Sequence, residues 1–458
     1  MPRPNGEPTI FQSVAPPTCP ARRLRRFLAA EVRRLQPEIR ASAAACEAER
    51  YRKHFDSVSH VGVLLFHGLN PGLSLRQSYE ALCACDAYQT VWGLRAAANA
   101  AADAAADAAA DAAADADDGT LAVSFSQVAA SSTSRPADLL LGWLPGLLRR
   151  VQQTCPRRAD APPAGLHCID ATFLRLSHQL ADWIPERTRA NTTGYWLQFE
   201  YTPADELVRS VVLSDTHAND VQRLDALLFE TPADLAALAD ETLVMDLGFY
   251  SHARFAKLRA AGVHVVTRLH PQAATADGED LPIQQRLPQL PECCRGRILV
   301  GRDRRLTVGS PNNRAGAVLE NMRVVRATVE PTPAAARRGA TAVTYDLLTD
   351  RWDLSAEAVV QWYLWRWEIE LFFRWLKRSL GLLRPLGYSQ NAIEMSLWLA
   401  LIVHLLCLLA TTASGRQRRS PRMLASVAWL LVHLSLADLH AGDGPRQLPL
   451  PGLHVPDG

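Results

Sequence analysis

The spacing of apolar and polar positions divides the chain into a helical first part, a strand-rich middle and a helical end. Apolar residues recur at helical spacing from about 21 to 55 and again from 60 to 87. In the second segment, Asn70-Pro71-Gly72 interrupts the period and predicts two helices joined by a turn. The first segment alternates arginines with leucines, which predicts a basic helix.

Both N-terminal segments are candidate contacts for a polyanion. Clustered arginines such as Arg22, Arg23, Arg25 and Arg26 could neutralise nucleic-acid phosphates. A helical pair joined by a turn can also enter a DNA groove. A solvated helix face and a plain helical scaffold would show the same two patterns, so both interpretations stay open.

From about Gly165 the pattern becomes strand-like, first without helices between the strands and later alternating with helices near 218–230 and 251–261. The predicted strands span 166–169, 195–201, 207–213, 242–245, 263–268, 297–300, 306–309, 322–329 and 342–348. A meander followed by alternating strands and helices predicts a mixed α/β fold. The Pro- and Arg-rich stretch within it predicts a β-rich insertion.

These patterns predict a helical N-terminal region, a core in two parts, the insertion between them, and a tail. The boundaries are 1–155 for the N-terminal region, 165–269 for the first core part, 270–340 for the insertion, 341–413 for the second core part, and 414–458 for the tail. Within the N-terminal region, 96–118 is polyalanine with Asp at every fourth position. It has no large apolar side chains and is predicted to be an exposed spacer.

Composition excludes several classes of protein. The formal net charge is only +2, so the overall charge does not indicate a polyanionic partner. Nine cysteines include no C-x-x-C pair, which argues against a zinc ribbon and favours a reduced, cytoplasmic setting. Residues 395–412 are almost wholly apolar, but His404 lies in their middle. A buried core helix is therefore the favoured interpretation, and a membrane helix the alternative.

The most informative segment is a helix predicted to begin near Ala356 after a Ser355 cap and to continue through Lys377. Its polar side chains are spaced by three or four residues, which places them along one side of an α-helix. They are Tyr363, Arg366, Glu370, Arg374 and Lys377. A carboxylate among cationic groups suits a site that handles phosphates, because the acid can hold a metal while the cations neutralise the backbone.

The spacing Tyr363-x2-Arg366-x3-Glu370-x6-Lys377 resembles the signature of the DDE transposases of the insertion sequence 4 family. The flanking residues are similar too. Asp170, in the sequence Ile-Asp-Ala-Thr, resembles the first family aspartate, and Asp246, in Met-Asp-Leu-Gly, resembles the second. Ala171 stands where relatives carry Gly or Ser, and Leu247 stands where they commonly carry Arg.

The resemblance implies an RNase H-like mixed-sheet catalytic core in which Asp170, Asp246 and Glu370 hold two Mg²⁺ ions, with Mn²⁺ able to substitute. It implies that Tyr363, Arg366 and Lys377 bind the DNA end. Arg374 is added as a DNA contact from its position one turn after Glu370. The implied partners are double-stranded DNA and a second copy of the chain, acting at the nucleoid.

Two alternatives to an active transposase stay open. One is a decayed copy that binds DNA without cutting it, and the other is an RNase H-like nuclease that cuts without strand transfer. A polar cluster of Asp215, His217 and Asp220 is a weaker metal-site candidate, and a loop followed by a helix start explains it better.

Overall fold

The computed structural model describes a mixed α/β protein whose helices pack around one mixed sheet. The described residues are 20–49, 55–70, 72–83, 89, 92, 94, 123–157, 161–176, 193–214, 220–229, 235–283, 297–310 and 317–413. The predicted spacer at 96–118 and the tail at 414–458 lie outside these ranges.

The described residues of the N-terminal region include six helices. They are α1 (Pro20–Ala45), α2 (Ser57–Leu69), α3 (Leu75–Cys83), α4 (Phe125–Ser134), α5 (Asp138–Leu141) and α6 (Leu144–Thr154). The predicted helix pair around Asn70 is confirmed as α2 and α3. Asp56 caps α2 by accepting a hydrogen bond from the amide of Ser59 at 2.7 Å. Every residue of α2 is buried, so this helix is part of the core rather than a surface for DNA.

His67 links α2 to α3, because its Nδ1 lies 2.9 Å from Oγ of Ser78. Burial lowers the pKa of His67 from 6.5 to about 4. Between these values the unfolded chain binds a proton that the folded chain excludes. The stability contributed by the neutral ring is therefore complete above about pH 6.5 and is lost as the pH falls towards 4.

We expect acidification from pH 7 to pH 5 to lower the free energy of unfolding by about 2 kcal/mol more in the intact protein than in His67→Gln. The glutamine keeps a hydrogen-bonding amide near Ser78 but does not titrate. Urea unfolding of both proteins at the two pH values measures the difference, and equal losses would contradict the expectation.

The sheet contains nine strands in the order β3-β2-β1-β4-β5-β9-β8-β7-β6. The strands are β1 (Leu166–Leu176), β2 (Thr193–Thr202), β3 (Leu207–Ser214), β4 (Thr242–Met245), β5 (His264–Arg268), β6 (Thr275–Asp280), β7 (Ile298–Val308), β8 (Leu319–Val329) and β9 (Val343–Thr349). β1, β4 and β5 run parallel, and every other pairing is antiparallel. The predicted mixed α/β class is confirmed.

The predicted insertion is not a sheet of its own. β9 pairs with β5 on one side and with β8 on the other, so β6, β7 and β8 extend the core sheet. The two short strands predicted at 297–300 and 306–309 are one strand, β7, because β8 pairs along its whole length. Register shifts near Val300 and Leu306 mark irregularities within that pairing.

Six further helices lie in the rest of the described chain, and all but the short, exposed Pro333–Ala336 contribute buried residues to the core. They are α7 (Asp220–Leu228), α8 (His252–Ala260), α9 (Pro333–Ala336), α10 (Ala356–Leu364), α11 (Trp367–Arg374) and α12 (Gln390–Ala413). A 3₁₀ turn spans Leu247–Phe249, and a π-helical turn spans Trp375–Ser379.

Helix α12 is the apolar segment for which a membrane helix was the alternative. Among the described residues it is the one helix long and apolar enough to cross a bilayer, and 89% of its apolar window is buried inside the protein. His404 is also satisfied: Nδ1 accepts a hydrogen bond from Nε1 of Trp375 at 3.2 Å, and Nε2 donates to the carbonyl of Glu206 at 2.8 Å. A neutral histidine with both nitrogens paired fits a protein core.

Candidate active site

Asp170 and Asp246 lie on neighbouring strands at the edge where β4 ends. The last paired residues of the parallel strands β1 and β4 are Ile169 and Met245, and an aspartate follows each of them. β1 does not end at Asp170, as the sequence predicted, because β2 continues to pair with it as far as Leu176. The register therefore brings the two aspartates together while β1 extends beyond them.

Glu370 comes from a helical segment that is interrupted, whereas the sequence predicted one continuous helix. The predicted Ser355 cap is confirmed: its Oγ accepts a hydrogen bond from the amide of Ala358 at 3.2 Å. Helix α10 then ends at Leu364, and α11 begins at Trp367. Between them the amide of Arg366 bonds to the carbonyl three residues earlier, which tightens the chain into a turn.

Two side chains of this segment, Tyr363 and Arg366, contact the three carboxylates. Nη1 of Arg366 donates to Oδ2 of Asp170 at 2.8 Å, and Nη2 lies 2.9 Å from Oε1 of Glu370. The hydroxyl of Tyr363 donates to Oδ1 of Asp246 at 3.2 Å. Asp246 is free for this contact because its side chain does not cap the following 3₁₀ turn. The cluster therefore contains three acids, one guanidinium and one phenol.

The cluster holds more negative charge than one guanidinium can neutralise. Burial raises the pKa of Asp170 to about 6; Arg366 and the amide of Ala171 oppose the rise, and Glu370 and Asp246 add to it. Burial alone would lower the pKa of Arg366, but the neighbouring acids raise it overall. Burial and Asp246 together raise the pKa of Tyr363. Crowded carboxylates of this kind are typical of functional sites.

Lys377 and Arg374 differ in their relation to the cluster. Lys377 lies in the π-helical turn, and its Nζ donates to the carbonyl of Phe173 on β1 at 2.7 Å. Burial lowers the pKa of Lys377. Arg374 is exposed on α11, and no contact joins it to the three acids. The structure therefore brings Lys377 to the strand that bears Asp170 and leaves Arg374 at the surface.

The sequence prediction missed Arg268, the last residue of β5. Its charge acts on the Tyr363 hydroxyl, which places it beside the cluster. The position at the end of a parallel strand was a usable signal, because Asp246 follows the end of the neighbouring strand β4. In the other predicted cluster, Asp215 and His217 lie outside the described residues, and Asp220 begins α7.

The donor set of the cluster suits a hard divalent cation, since its three acids offer only oxygen ligands. Among the described residues, however, no group of three or more His, Cys, Asp or Glu side chains already has a metal-holding arrangement. The guanidinium of Arg366 bridges Asp170 and Glu370, while its Nε is buried without a hydrogen-bond partner. The three carboxylates are therefore suitable ligands for a divalent cation, and Arg366 contacts two of them, Asp170 and Glu370.

Every residue of this site lies within the match to one known protein family. A family model described as a transposase DDE domain matches residues 162–406. A putative transposase, y4zB, of Sinorhizobium fredii (strain NBRC 101917 / NGR234) is 26% identical over 251 residues, which is 54% of this chain and 61% of the relative. A probable transposase for insertion sequence element IS5377 of Geobacillus stearothermophilus is 35% identical over 60 residues, 13% of this chain and 16% of the relative.

The matches thus span less than two thirds of either relative's length. Among solved structures, a piggyBac transposase synaptic complex with hairpin DNA aligns with 94% of this chain and 82% of its own. The sequence identity is 10% and the TM-score is 0.39.

Proposed function

This chain belongs to the transposase DDE domain family, and from that membership we propose that it cuts DNA at the ends of an insertion sequence and joins those ends to a target. The observation that carries the proposal is the convergence of Asp170, Asp246 and Glu370 on one guanidinium and one phenol. Three acids drawn from two strands and a helix form a set of oxygen ligands for divalent cations.

We further propose that β1 to β5 form an RNase H-like core. The order β3-β2-β1-β4-β5, with β2 antiparallel and β4 parallel to β1, supports this assignment. Within the family, the spacing of Tyr363, Arg366, Glu370 and Lys377 supports membership of the insertion sequence 4 group.

In the proposed mechanism, Asp170, Asp246 and Glu370 would hold two Mg²⁺ ions, and Mn²⁺ could substitute. Such cations activate an attacking oxygen and stabilise the leaving oxygen of a phosphodiester. Tyr363 and Arg366 are adjacent to the acids and would orient the phosphate to be cut. These two residues would add to the alignment that the bound cations provide.

Lys377, with Arg374 further out on the surface, would contact the DNA backbone. An ammonium has three N–H donors, and Lys377 uses one of them on the carbonyl of Phe173. The remaining donors are available to a phosphate. The proposed partners are double-stranded DNA and a second copy of the chain, because two element ends have to be brought together.

The proposed function is tested by incubating the purified protein with a duplex that carries the ends of its own element, a target plasmid, and Mg²⁺ or Mn²⁺. We expect nicks at the element boundary and end-joined plasmid, both abolished by a chelator. Nicks without joined plasmid would favour the nuclease alternative. Binding of the duplex without any cleavage would favour a decayed copy.

Lys377 also gives a prediction for DNA affinity. We expect Lys377→Met to weaken binding of end and scrambled duplexes about equally, and to reduce the slope of log affinity against log salt by about 1. The physical reason is that a phosphate contact releases a counterion without reading sequence. Fluorescence anisotropy at several salt concentrations measures both quantities.

Lys257→Met is the matched control, since Lys257 lies on α8 with its ammonium 5.6 Å from the centroid of the Phe229 ring. The salt slope of this variant should equal that of the intact protein. A normal slope in Lys377→Met would remove Lys377 from the DNA contact.

A further inference from the structure

Arg366 contacts the acids that the proposed function assigns to the cations. Its Nη1 and Nη2 bind Oδ2 of Asp170 and Oε1 of Glu370. We propose that Arg366 occupies the metal-free site, so that a divalent cation must displace its guanidinium, which then becomes available to a DNA phosphate. This inference rests on the proposed function, because it assumes that these acids are the cation ligands.

The oxygens of Asp170 leave little room for a cation while Arg366 is in place. Oδ2 accepts from the guanidinium, and Oδ1 accepts from the amide of Ala171 at 2.8 Å. The guanidinium also contacts Glu370, so it engages two of the acids that would hold a cation. The contact with Asp170 is a charge-assisted hydrogen bond, the stronger class in proteins, and the contact with Glu370 is an ion pair. Displacing the guanidinium therefore reduces the apparent affinity for a cation.

The bound position of Arg366 is not fully satisfied. Its side chain is 8% exposed, and its Nε is buried without a hydrogen-bond partner. Burying a polar group without a partner is costly, and a phosphate contact outside the cluster removes that cost. The residue also lies in the turn between α10 and α11 rather than inside either helix. A planar guanidinium fork matches a phosphate as well as it matches a carboxylate.

This arrangement couples the two ligands of the protein. A phosphate that accepts the released guanidinium stabilises the cation-bound state, and a bound cation favours the release. Cation and DNA should each raise the affinity for the other. Without DNA, the intact protein should bind divalent cations weakly.

The experiment is a titration of the full chain with MnCl₂ in the absence of DNA, in which electron paramagnetic resonance measures free Mn²⁺. We expect Arg366→Met to bind Mn²⁺ about tenfold more tightly than the intact protein, because at least one charge-assisted hydrogen bond no longer competes. Arg157→Met is the matched control. It removes an arginine that pairs with Asp205 at 2.9 Å, outside the carboxylate cluster, and should leave Mn²⁺ affinity unchanged.

Further variants separate the possible outcomes. If Arg366→Met binds Mn²⁺ no more tightly than the intact protein, the inference is overturned. If that binding is nevertheless lost in Glu370→Gln, the proposed metal ligands stand without it. If no variant binds Mn²⁺, both the inference and the proposed metal site fall.

Thermal unfolding provides a second measurement that does not depend on activity. Removing Arg366 leaves two acids facing each other, so the metal-free variant should unfold at a lower temperature, and Mn²⁺ should raise that temperature more than in the intact protein. Arg366→Lys keeps the charge but loses the bridging fork, and it should bind Mn²⁺ with intermediate affinity. If Arg366→Met does not fold, the test rests on Arg366→Lys. A Mn²⁺ affinity of Arg366→Lys equal to that of the intact protein would then overturn the inference.

Discussion

Replacing Glu370 by Gln is expected to reduce metal-dependent cleavage of end DNA by more than about 100-fold. Substitution of a residue that hydrogen-bonds to a metal ligand typically lowers metal affinity or activity by about 10–100-fold. Glu370→Gln removes the charge of a proposed ligand itself, so a larger effect is expected. The glutamine has the shape of glutamate and keeps a polar group beside Arg366. We therefore expect the fold and the binding of duplex DNA to persist, which separates loss of chemistry from loss of structure.

Glu368→Gln is the matched control for this prediction. It removes a carboxylate two residues earlier on the same helix, α11. A gel-based nicking assay with equal amounts of the two variants gives the comparison. If both variants cleave as the intact protein does, Glu370 is not part of the active site.

The second large effect is expected on stability, from Asp303→Ala. Arg323 forms a two-point pair with Asp303, at 3.0 Å from Nε and 2.6 Å from Nη2. The side chains are 8% and 3% exposed. Nη1 of Arg323 also donates to the carbonyls of Arg351 and Leu354, just before α10. Removing the aspartate leaves a buried charge without its counter-ion, which typically costs about 3–5 kcal/mol.

Asp280→Ala is the control, because it breaks the ion pairs that Asp280 of β6 makes at the surface with Arg302 and Arg304 of β7. Water reaches all three side chains there, so little change in stability is expected. Urea unfolding of the two variants measures the contrast. Equal free energies of unfolding would show that the buried pair does not stabilise the sheet.

Much of the fold could be predicted because the spacing of apolar residues along the chain indicates which segments form helices and which form strands. Strand β4 has the predicted bounds, Thr242 to Met245, because a strand buried on both faces of a parallel sheet is a nearly continuous apolar run. Helix α12 was placed in the core by His404, which a bilayer would disfavour. The hydrogen-bond partners of His404 could not be predicted, because they are far from it in sequence. The structure shows that they are the carbonyl of Glu206 and the indole of Trp375.

The candidate site was predicted as a set of residues but not as a geometry. Spacing alone indicated that Tyr363, Arg366 and Glu370 share one side of a helix, and all three do reach the aspartates or each other. The turn at Arg366 was not predicted, because no Gly or Pro marks it. Arg268 was missed because its proximity depends on the pairing of β5 with β4, which sequence periodicity does not determine.

The continuity of the sheet has a mechanical consequence. β9 is hydrogen-bonded both to β5, beside the acids, and to β8, so the outer strands have no flexible joint with the strands that hold Asp170 and Asp246. A duplex that touches both regions meets two surfaces at a fixed separation. Any misfit must then be relieved by bending the DNA, and the energy of bending depends on base sequence. Under the proposed function, a stiff protein of this kind would discriminate between DNA ends at base pairs that it never touches.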